Sequence, residues 1–242
     1  MNLLLLHPED FVAVSDAPGE ESRARITGRR FEHVRNVHRA AVGDELRIGV
    51  LGGALGRGRV IALSDGQLEL AILLDRQPPP PSPITLVLAL PRPLVLKRVL
   101  IHATSLGVKR IALIHARRVE KSYWQSDALS GETLRHNLLL GLEQAGDTVL
   151  PDVSLHPRFR VFAEDVLPAL RGSFRGFVAH PEATAVCPRQ VSGCVIIAIG
   201  PEGGFIPYEV DMLASAGLEP VRFGDRILRI EAAVPWLIAR LG

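Results

Sequence analysis

Apolar positions along the chain follow two different rhythms, and the change falls at one place. Up to residue 77 they come in short runs parted by glycine or charge, over 3–6, 23–27, 45–51, 56–64 and 67–73. Runs of this length with turn residues between them predict β-strands. Gly52-Gly53 and Asp65-Gly66 predict hairpin turns. One short helix is expected over 31–39, followed by the turn Val42-Gly43-Asp44. Short strands and glycine turns packed this densely suggest a small β-barrel. From residue 84 onward, continuous apolar stretches alternate with helical spacings. Strands are expected over 84–90, 110–115, 176–180, 194–199 and 220–223, and helices over 94–106, 134–144, 161–170, 207–216 and 232–241. Apolar strands alternating with amphipathic helices imply an α/β fold with a parallel sheet covered on both faces.

Between the two rhythms lies Pro78-Pro79-Pro80-Pro81-Ser82-Pro83. Consecutive prolines fix φ and offer no backbone donors, so the run belongs to neither helix nor sheet. It divides the chain into an N-terminal domain over 1–77, a semi-rigid linker over 78–83 and a larger domain over 84–242.

Composition narrows the field. With 242 residues and 47% hydrophobic content, the chain can bury a real core and is not a disordered or collagen-like sequence. A membrane span needs about 20 consecutive apolar residues, and no run approaches that. Leu3–Leu6 is followed at once by Glu9 and Asp10 and preceded by no basic residue, so it reads as a strand and not as a signal peptide. Cys187 and Cys194 have no histidine or cysteine near them at ligand spacing, so no metal is expected and a reducing cytoplasm fits.

Charge placement matters more than its total. The net charge is +2, from 28 basic and 26 acidic residues, which argues against a protein that coats nucleic acid. Yet 21–60 carries Arg29, Arg30, Arg35, Arg39 and Arg57 among nine arginines against four acids, and 92–121 carries Arg92 and Arg118 among eight basic residues against Glu120 alone. Such segments suit an anionic partner such as RNA. They also suit solvated helix faces and loops, and on charge alone that second reading is slightly favoured.

Three strand ends carry the candidate chemistry. The first is Cys194-Val-Ile-Ile-Ala-Ile-Gly-Pro-Glu-Gly-Gly-Phe205, an apolar strand running into a glycine-rich turn before a helix that starts near Pro207. In open α/β sheets ligands bind at the carboxyl ends of strands. Gly200, Gly203 and Gly204 permit positive φ and close approach of backbone to a ligand. The pattern is neither a dinucleotide fingerprint nor a phosphate-binding loop, and taken alone it fits a simple tight turn. The second is Phe223-Gly-Asp-Arg-Ile-Leu-Arg-Ile-Glu-Ala-Ala233, where Glu231 falls in a first helical turn favoured for carboxylates. The third is His180-Pro-Glu-Ala183, whose lone histidine serves as readily as a structural hydrogen-bonder.

Together, IGPEGGF at 199–205 and GDRILRIEAA at 224–233 resemble the SPOUT class of S-adenosylmethionine-dependent RNA methyltransferases. Within that class they resemble the bacterial family that methylates N3 of a uridine in small-subunit (16S) ribosomal RNA. ATSLGV at 103–108, EQAG at 143–146 and HVRNVHRAAVGD at 33–44 match further stretches of that family, so the resemblance spans nearly the whole chain. It implies a PUA-like N-terminal β-barrel, a C-terminal α/β domain with a deep trefoil knot, and a homodimer. It also implies S-adenosyl-L-methionine bound in the knot by His180 and Pro181, by Ile199, Gly200, Pro201, Glu202, Gly203 and Gly204, and by Phe223, Gly224, Ile227 and Leu228. Arg229 and Arg226 are then candidates to stabilise charge on the base, with Glu231 or Glu202 orienting an arginine or accepting the proton. Arg29, Arg30, Arg35, Arg39, Arg57, Arg92 and Arg118 are candidates for RNA contact.

Several positions depart from the family: His102 for lysine, Ser105 for glutamate, Asp147 for arginine, Ala232 for threonine and Ile206 for a helix-capping serine. They bear on RNA contact more than on donor binding. They also leave open a related enzyme with another RNA target, or a non-catalytic RNA-binding protein of the same fold.

Overall fold

The computed structural model describes residues 2–14 and 21–242. Packing divides the chain into two units, Met1–Pro80 with Leu142–Leu150, and Pro81–Gly141 with Pro151–Gly242.

The first unit is built on a six-stranded sheet: β1 (Leu4–Leu6), β2 (Phe11–Ala13), β3 (Ser22–Thr27), β4 (Glu45–Val50), β5 (Leu55–Ser64) and β6 (Gln67–Arg76). The order is β1-β4-β5-β6-β3-β2, with β1 parallel to β4 and the other pairs antiparallel. Strand alternation sorts the residues. In β3, Ala24 and Ile26 turn inward while Arg23 and Arg25 face solvent; in β5, Gly58 and Val60 turn inward while Arg57 and Arg59 face solvent. Ala24, Ile26, Ile48, Val60, Leu68, Leu70 and Ile72 form the core with Phe31 and Val34. The basic stretch over 21–60 is therefore largely the wet face of a sheet. Much of it is paired: Arg25 with Glu69 at 2.9 Å, Arg59 with Glu21 at 3.0 Å and Arg57 with Glu45 at 3.7 Å.

The helix expected over 31–39 starts earlier, as α1 (Gly28–His33), and widens into a π-turn over Val34–His38 that Arg39 ends at φ 51°. Leu142–Leu150 complete this unit. Asn2 and Leu3 donate to the Glu143 carbonyl at 2.9 and 3.0 Å, and Gly52 donates to the Thr148 carbonyl at 2.8 Å. Asp147 is buried and its Oδ1 accepts from the Thr148 and Val149 amides at 2.6 and 3.0 Å. The carboxylate that stands in place of the family's arginine thus forms a turn.

The second unit alternates as expected: β7 (Ile84–Ala89), α2 (Pro93–Ser105), β8 (Arg110–Ile114), α3 (Gly131–Ala145), β9 (Asp152–His156), α4 (Phe159–Val161), α5 (Leu167–Arg171), β10 (Arg175–Ala179), β11 (Val195–Ile199), α6 (Pro207–Ser215), β12 (Leu218–Val221) and α7 (Ile230–Leu241). The sheet is parallel throughout, in the order β12-β10-β11-β7-β8-β9. Every residue of β7 and β11 is buried, as befits central strands covered on both faces. The strand β9 was not anticipated, because its short Asp-Val-Ser-Leu-His pattern is that of a half-exposed edge. A π-turn over Phe162–Val166 joins α4 to α5 where one continuous helix was expected. The departure at Ser105 also finds a partner within the fold: its hydroxyl donates to Ile101 O at 2.8 Å and lies 3.2 Å from Gly141 O.

Candidate functional site

Three neighbouring strands determine where the site lies. β12, β10 and β11 are adjacent and parallel, so the chain leaves all three at the same edge of the sheet. The segments that follow them, at 180–182, 199–205 and 223–231, line one cavity of about 970 Å³. All twelve residues expected to hold the methyl donor line it, as do Arg226, Arg229 and Glu231. Its wall is apolar at Ile199, Phe205, Phe223, Leu228 and Ile230.

Each segment is shaped locally. His180 donates its backbone N–H to Val221 O at 3.0 Å, and its Nδ1 accepts from the Glu182 amide at 3.1 Å. In the glycine-rich turn the three glycines have different reasons. Gly204 alone takes positive φ, at 74°, while its N–H closes the turn on Pro201 O at 2.7 Å. Gly200 has ordinary φ, but a Cβ there would lie 2.9 Å from the Phe205 nitrogen. At Gly203 a Cβ would lie 2.9 Å from Arg118 Cδ. Of the two freedoms expected of these glycines, positive φ is used at Gly204 and close approach at Gly200 and Gly203. Gly224 lies at φ 144°, and the ring of Phe223 packs 5.4 Å from that of Trp236.

Two of the three acidic residues at the cavity, Glu202 and Glu231, are already engaged. Glu202 Oε1 accepts from Arg92 N at 3.2 Å and Nε at 3.3 Å. Glu231, in the first turn of α7, lies 3.9 Å from Arg98 on α2. Arg118 donates to the Gly203 carbonyl. Among the described residues Arg118, Arg226 and Arg229 have no carboxylate within ion-pairing distance. Arg229 stands at the N-terminus of α7, where partial positive charge from the backbone adds to its own.

The RNA candidates divide. Arg92 and Arg118 line the cavity; the other five belong to the first unit. Arg35 and Arg39 are exposed, with Arg35 lying 5.9 Å from the Phe31 ring centroid. Arg57 is exposed and lies near Glu45, and Arg29 pairs with the buried Glu143 at 2.9 Å while keeping half its surface. Arg30 is a correction. Its guanidinium makes two bonds to Asp10 at 2.5 and 2.7 Å and one to Leu5 O at 2.9 Å, with the side chain 18% exposed. With three of its five donors committed to an interior carboxylate and a carbonyl, Arg30 holds the fold.

The residue that sequence reading missed is Glu209. It is 3% exposed; Oε2 accepts from Ile206 N at 3.0 Å and Oε1 from Arg117 N at 2.6 Å. It stands three residues after the first residue of the turn into α6, the glutamate half of a capping box. That spacing was visible, and the apolar Ile206 in the other half obscured it. Among the described residues there is no group of three or more His, Cys, Asp or Glu placed to hold a metal ion, and no helix long and apolar enough to cross a membrane.

Comparison with known proteins agrees with this geometry. The family model for an RNA methyltransferase domain matches residues 78–242. Ribosomal RNA small subunit methyltransferase E of Treponema pallidum is 30% identical over 210 residues, covering 84% of this chain and 79% of that protein. The Synechocystis protein of the same name is 24% identical over 236 residues, covering 91% of this chain and 73% of its own. Among solved structures, ribosomal RNA small subunit methyltransferase E of Neisseria gonorrhoeae, bound to S-adenosyl methionine, superposes with a TM-score of 0.74 at 20% identity, covering 97% of this chain and 94% of that one.

Proposed function

The chain belongs to the RNA methyltransferase domain family, and from that premise we propose that it transfers a methyl group from S-adenosylmethionine to N3 of a uridine in 16S ribosomal RNA. The observation that carries this reading is the convergence of the three strand-end segments on one cavity, with Arg118, Arg226 and Arg229 facing no carboxylate among the described residues. Its size is within the roughly 300–1,000 Å³ usual for ligand sites. The glycine-rich turn gives a cradle with no side chains at Gly200, Gly203 and Gly204, and the apolar wall suits a purine. S-adenosylmethionine, when bound, supplies an electrophilic methyl group on a sulfonium.

The residues then have definite work. N3 of uridine attacks well only once its weakly acidic proton has left, and negative charge then spreads to the base's two carbonyl oxygens. Arg229 and Arg226 place fixed positive charge at the cavity, which favours that anion without reorganisation of solvent. Glu202 and Glu231 each already engage an arginine, Arg92 and Arg98. That arrangement suits orienting guanidinium groups better than relaying a proton, so charge stabilisation by arginine takes the larger part and a dedicated base the smaller. The apolar wall holds the base in line with the methyl group.

The finer architecture is part of the same reading. Residues 1–77 act as a PUA-like barrel that positions RNA through exposed arginines, 78–83 as a linker and 84–242 as the methyltransferase domain. The carboxyl end of α7 is threaded as a trefoil knot. Supporting this, Gln190 and Val191 donate to Arg240 O and Leu241 O at 2.9 and 2.8 Å, and Arg240 Nε donates to Cys187 O at 2.9 Å, so 187–191 embrace the end of the last helix. A homodimer is supported by Leu94 and Ile227, apolar yet 66% and 85% exposed. Such an enzyme works in the cytoplasm, on its ribosomal substrate.

The test is methyl transfer to 16S ribosomal RNA with the modified nucleoside mapped by mass spectrometry. Arg229→Ala is expected to cut turnover about a hundredfold or more, the scale of losing one preorganised donor, with the fold intact by circular dichroism. Near-normal turnover by Arg229→Ala removes its role, and a product other than N3-methyluridine overturns the assignment of the target atom.

A further inference from the structure

The segment after β8, residues 115–125, is not one of the three strand-end segments of the cavity, yet it is fastened to the glycine-rich turn from two sides. From below, the buried Glu209 carboxylate takes the Arg117 amide at 2.6 Å with one oxygen and the Ile206 amide at 3.0 Å with the other. One side chain thereby ties this segment to the end of the turn that precedes α6. From above, Arg118 donates to the Gly203 carbonyl, and its stem covers the α-carbon of Gly203 closely enough that a Cβ there would lie 2.9 Å from Cδ. The base of the same segment is pinned as well: His115 N donates to His156 O at 2.9 Å, and Trp124 Nε1 donates to His115 Nδ1 at 2.9 Å.

This fastening has a consequence for charge. Arg118 is exposed and spends one of its five donors on a neutral carbonyl. Among the described residues no carboxylate lies within ion-pairing distance of it, whereas Arg92 beside it is neutralised by Glu202. A guanidinium that is held in place, exposed and uncompensated at the mouth of a cavity is preorganised for an anion, and its planar fork matches the paired oxygens of a phosphate. Glu209 is too deep to touch a substrate, so whatever it contributes passes through the backbone at Arg117.

We propose that Glu209 is a positioning residue that holds the segment after β8 so that Arg118 receives the backbone phosphate of the RNA nucleotide entering the cavity. This rests on the cavity being an RNA methyltransferase site. It assigns to Arg118 one phosphate contact, and to Glu209 the precision of that contact.

The experiment compares wild type with Arg118→Ala, Arg118→Lys, Glu209→Gln and the double variant Glu209→Gln/Arg118→Ala. RNA affinity is read by fluorescence anisotropy with a 16S ribosomal RNA transcript over a range of salt. Donor-site affinity is read by calorimetry with S-adenosylhomocysteine. Arg118→Ala is expected to weaken RNA binding about tenfold and to reduce the salt slope by about one, a larger loss than any in donor-site affinity. Arg118→Lys keeps the slope and loses part of the affinity. Glu209→Gln retains one acceptor where two are needed, so RNA binding weakens severalfold in KM while kcat holds, and the double variant is no weaker than Arg118→Ala alone. Multiplying effects in the double variant overturn the proposal, as does a Glu209→Gln protein that loses donor-site affinity and keeps RNA affinity. Amide exchange at Arg117 in wild type supplies a reading that needs no variant to fold: protection is expected, and exchange at the solvent rate overturns the tether. RNA binding is measured without turnover. A wild type that binds RNA and transfers no methyl group therefore refutes the proposed function alone, and an Arg118→Ala protein that binds RNA as tightly as wild type refutes this inference alone.

Discussion

Removing the Arg30 side chain separates a structural arginine from an RNA-binding one. Asp10 accepts from Arg30 at 2.5 and 2.7 Å and from the His7 amide at 2.6 Å, and the two side chains are 18% and 7% exposed. Arg30→Ala leaves a buried carboxylate without its counter-charge and Leu5 O without its donor. Breaking such a pair from one side costs about 3–5 kcal/mol. In a chain of this length each kcal/mol moves the midpoint by about 2–4 °C, so the expected loss is roughly 6–20 °C. Replacing both partners, as Arg30→Met with Asp10→Leu, should recover most of it, since an apolar pair of similar volume carries no desolvation debt. The assay is thermal unfolding followed by circular dichroism, with RNA affinity measured at several salt concentrations well below the transition. A midpoint within about 2 °C of wild type, together with a salt slope reduced by about one, would show that Arg30 contacts phosphate and would refute the structural assignment.

Other consequences follow from single features. Arg35→Ala and Arg39→Ala, both exposed, should each lower the RNA salt slope by up to about one with stability unchanged, which unfolding and anisotropy check together. Burial, chiefly, holds the His115 imidazole below its usual 6.5, helped by Lys121 and opposed by Glu209. The unfolded chain then binds the proton more readily than the folded one, so this histidine's contribution is complete above pH 6.5 and is lost as pH falls through the lowered folded value. Since Nδ1 must be unprotonated to accept from Trp124 at 2.9 Å, Trp124 fluorescence should change over the same acid window, and a signal that stays constant as pH falls until the protein unfolds would count against it. Gly200→Ala forces a Cβ against backbone at 2.9 Å; overpacking of that kind costs about 1–3 kcal/mol, to be seen as weaker S-adenosylhomocysteine binding by calorimetry. Cys194 is exposed while burial pushes the Cys187 thiol up, so a thiol reagent should label one cysteine in the folded protein and two after denaturation.

The legible and the illegible parts of this molecule differ in kind. Elements announced by local chemistry were readable: β7 from an apolar run interrupted only by Thr85, β11 from an unbroken one, and α6 from Pro207 at its first position. Asp65-Gly66 marked a hairpin whose glycine takes φ 85°. What failed was information held in the partner. Ser105 and Asp147 looked like losses against the family, because the carbonyls that Ser105 meets and the turn that Asp147 caps lie outside the motif. Glu209 offered half of a recognisable capping pattern, and its second bond, to Arg117, spans 92 positions of sequence. The convergence of 180–182, 199–205 and 223–231 depends on β12 lying next to β10, and strand order is written in no local pattern.

The same distinction decides what the charge of this chain means. A net charge of +2 carries no sign of an anionic partner, and the basic stretch over 21–60 overstates the charge left free for one. Arg25, Arg57 and Arg59 lie beside acids on the wet face of a sheet, and Arg30 is sealed against Asp10. Surface pairs of this sort contribute little to stability, about 0–1 kcal/mol each, but they do remove charge from the field a polyanion meets. At the cavity the balance differs: Glu202 and Glu231 lie against Arg92 and Arg98, and among the described residues Arg118, Arg226 and Arg229 have no carboxylate within ion-pairing distance. An unmatched guanidinium beside apolar walls is screened less than one in open solvent, so its attraction for a phosphate or a pyrimidine anion is stronger. On the proposed reading, function follows from which arginines face no carboxylate among the described residues, a property of the folded chain that no count of residues contains.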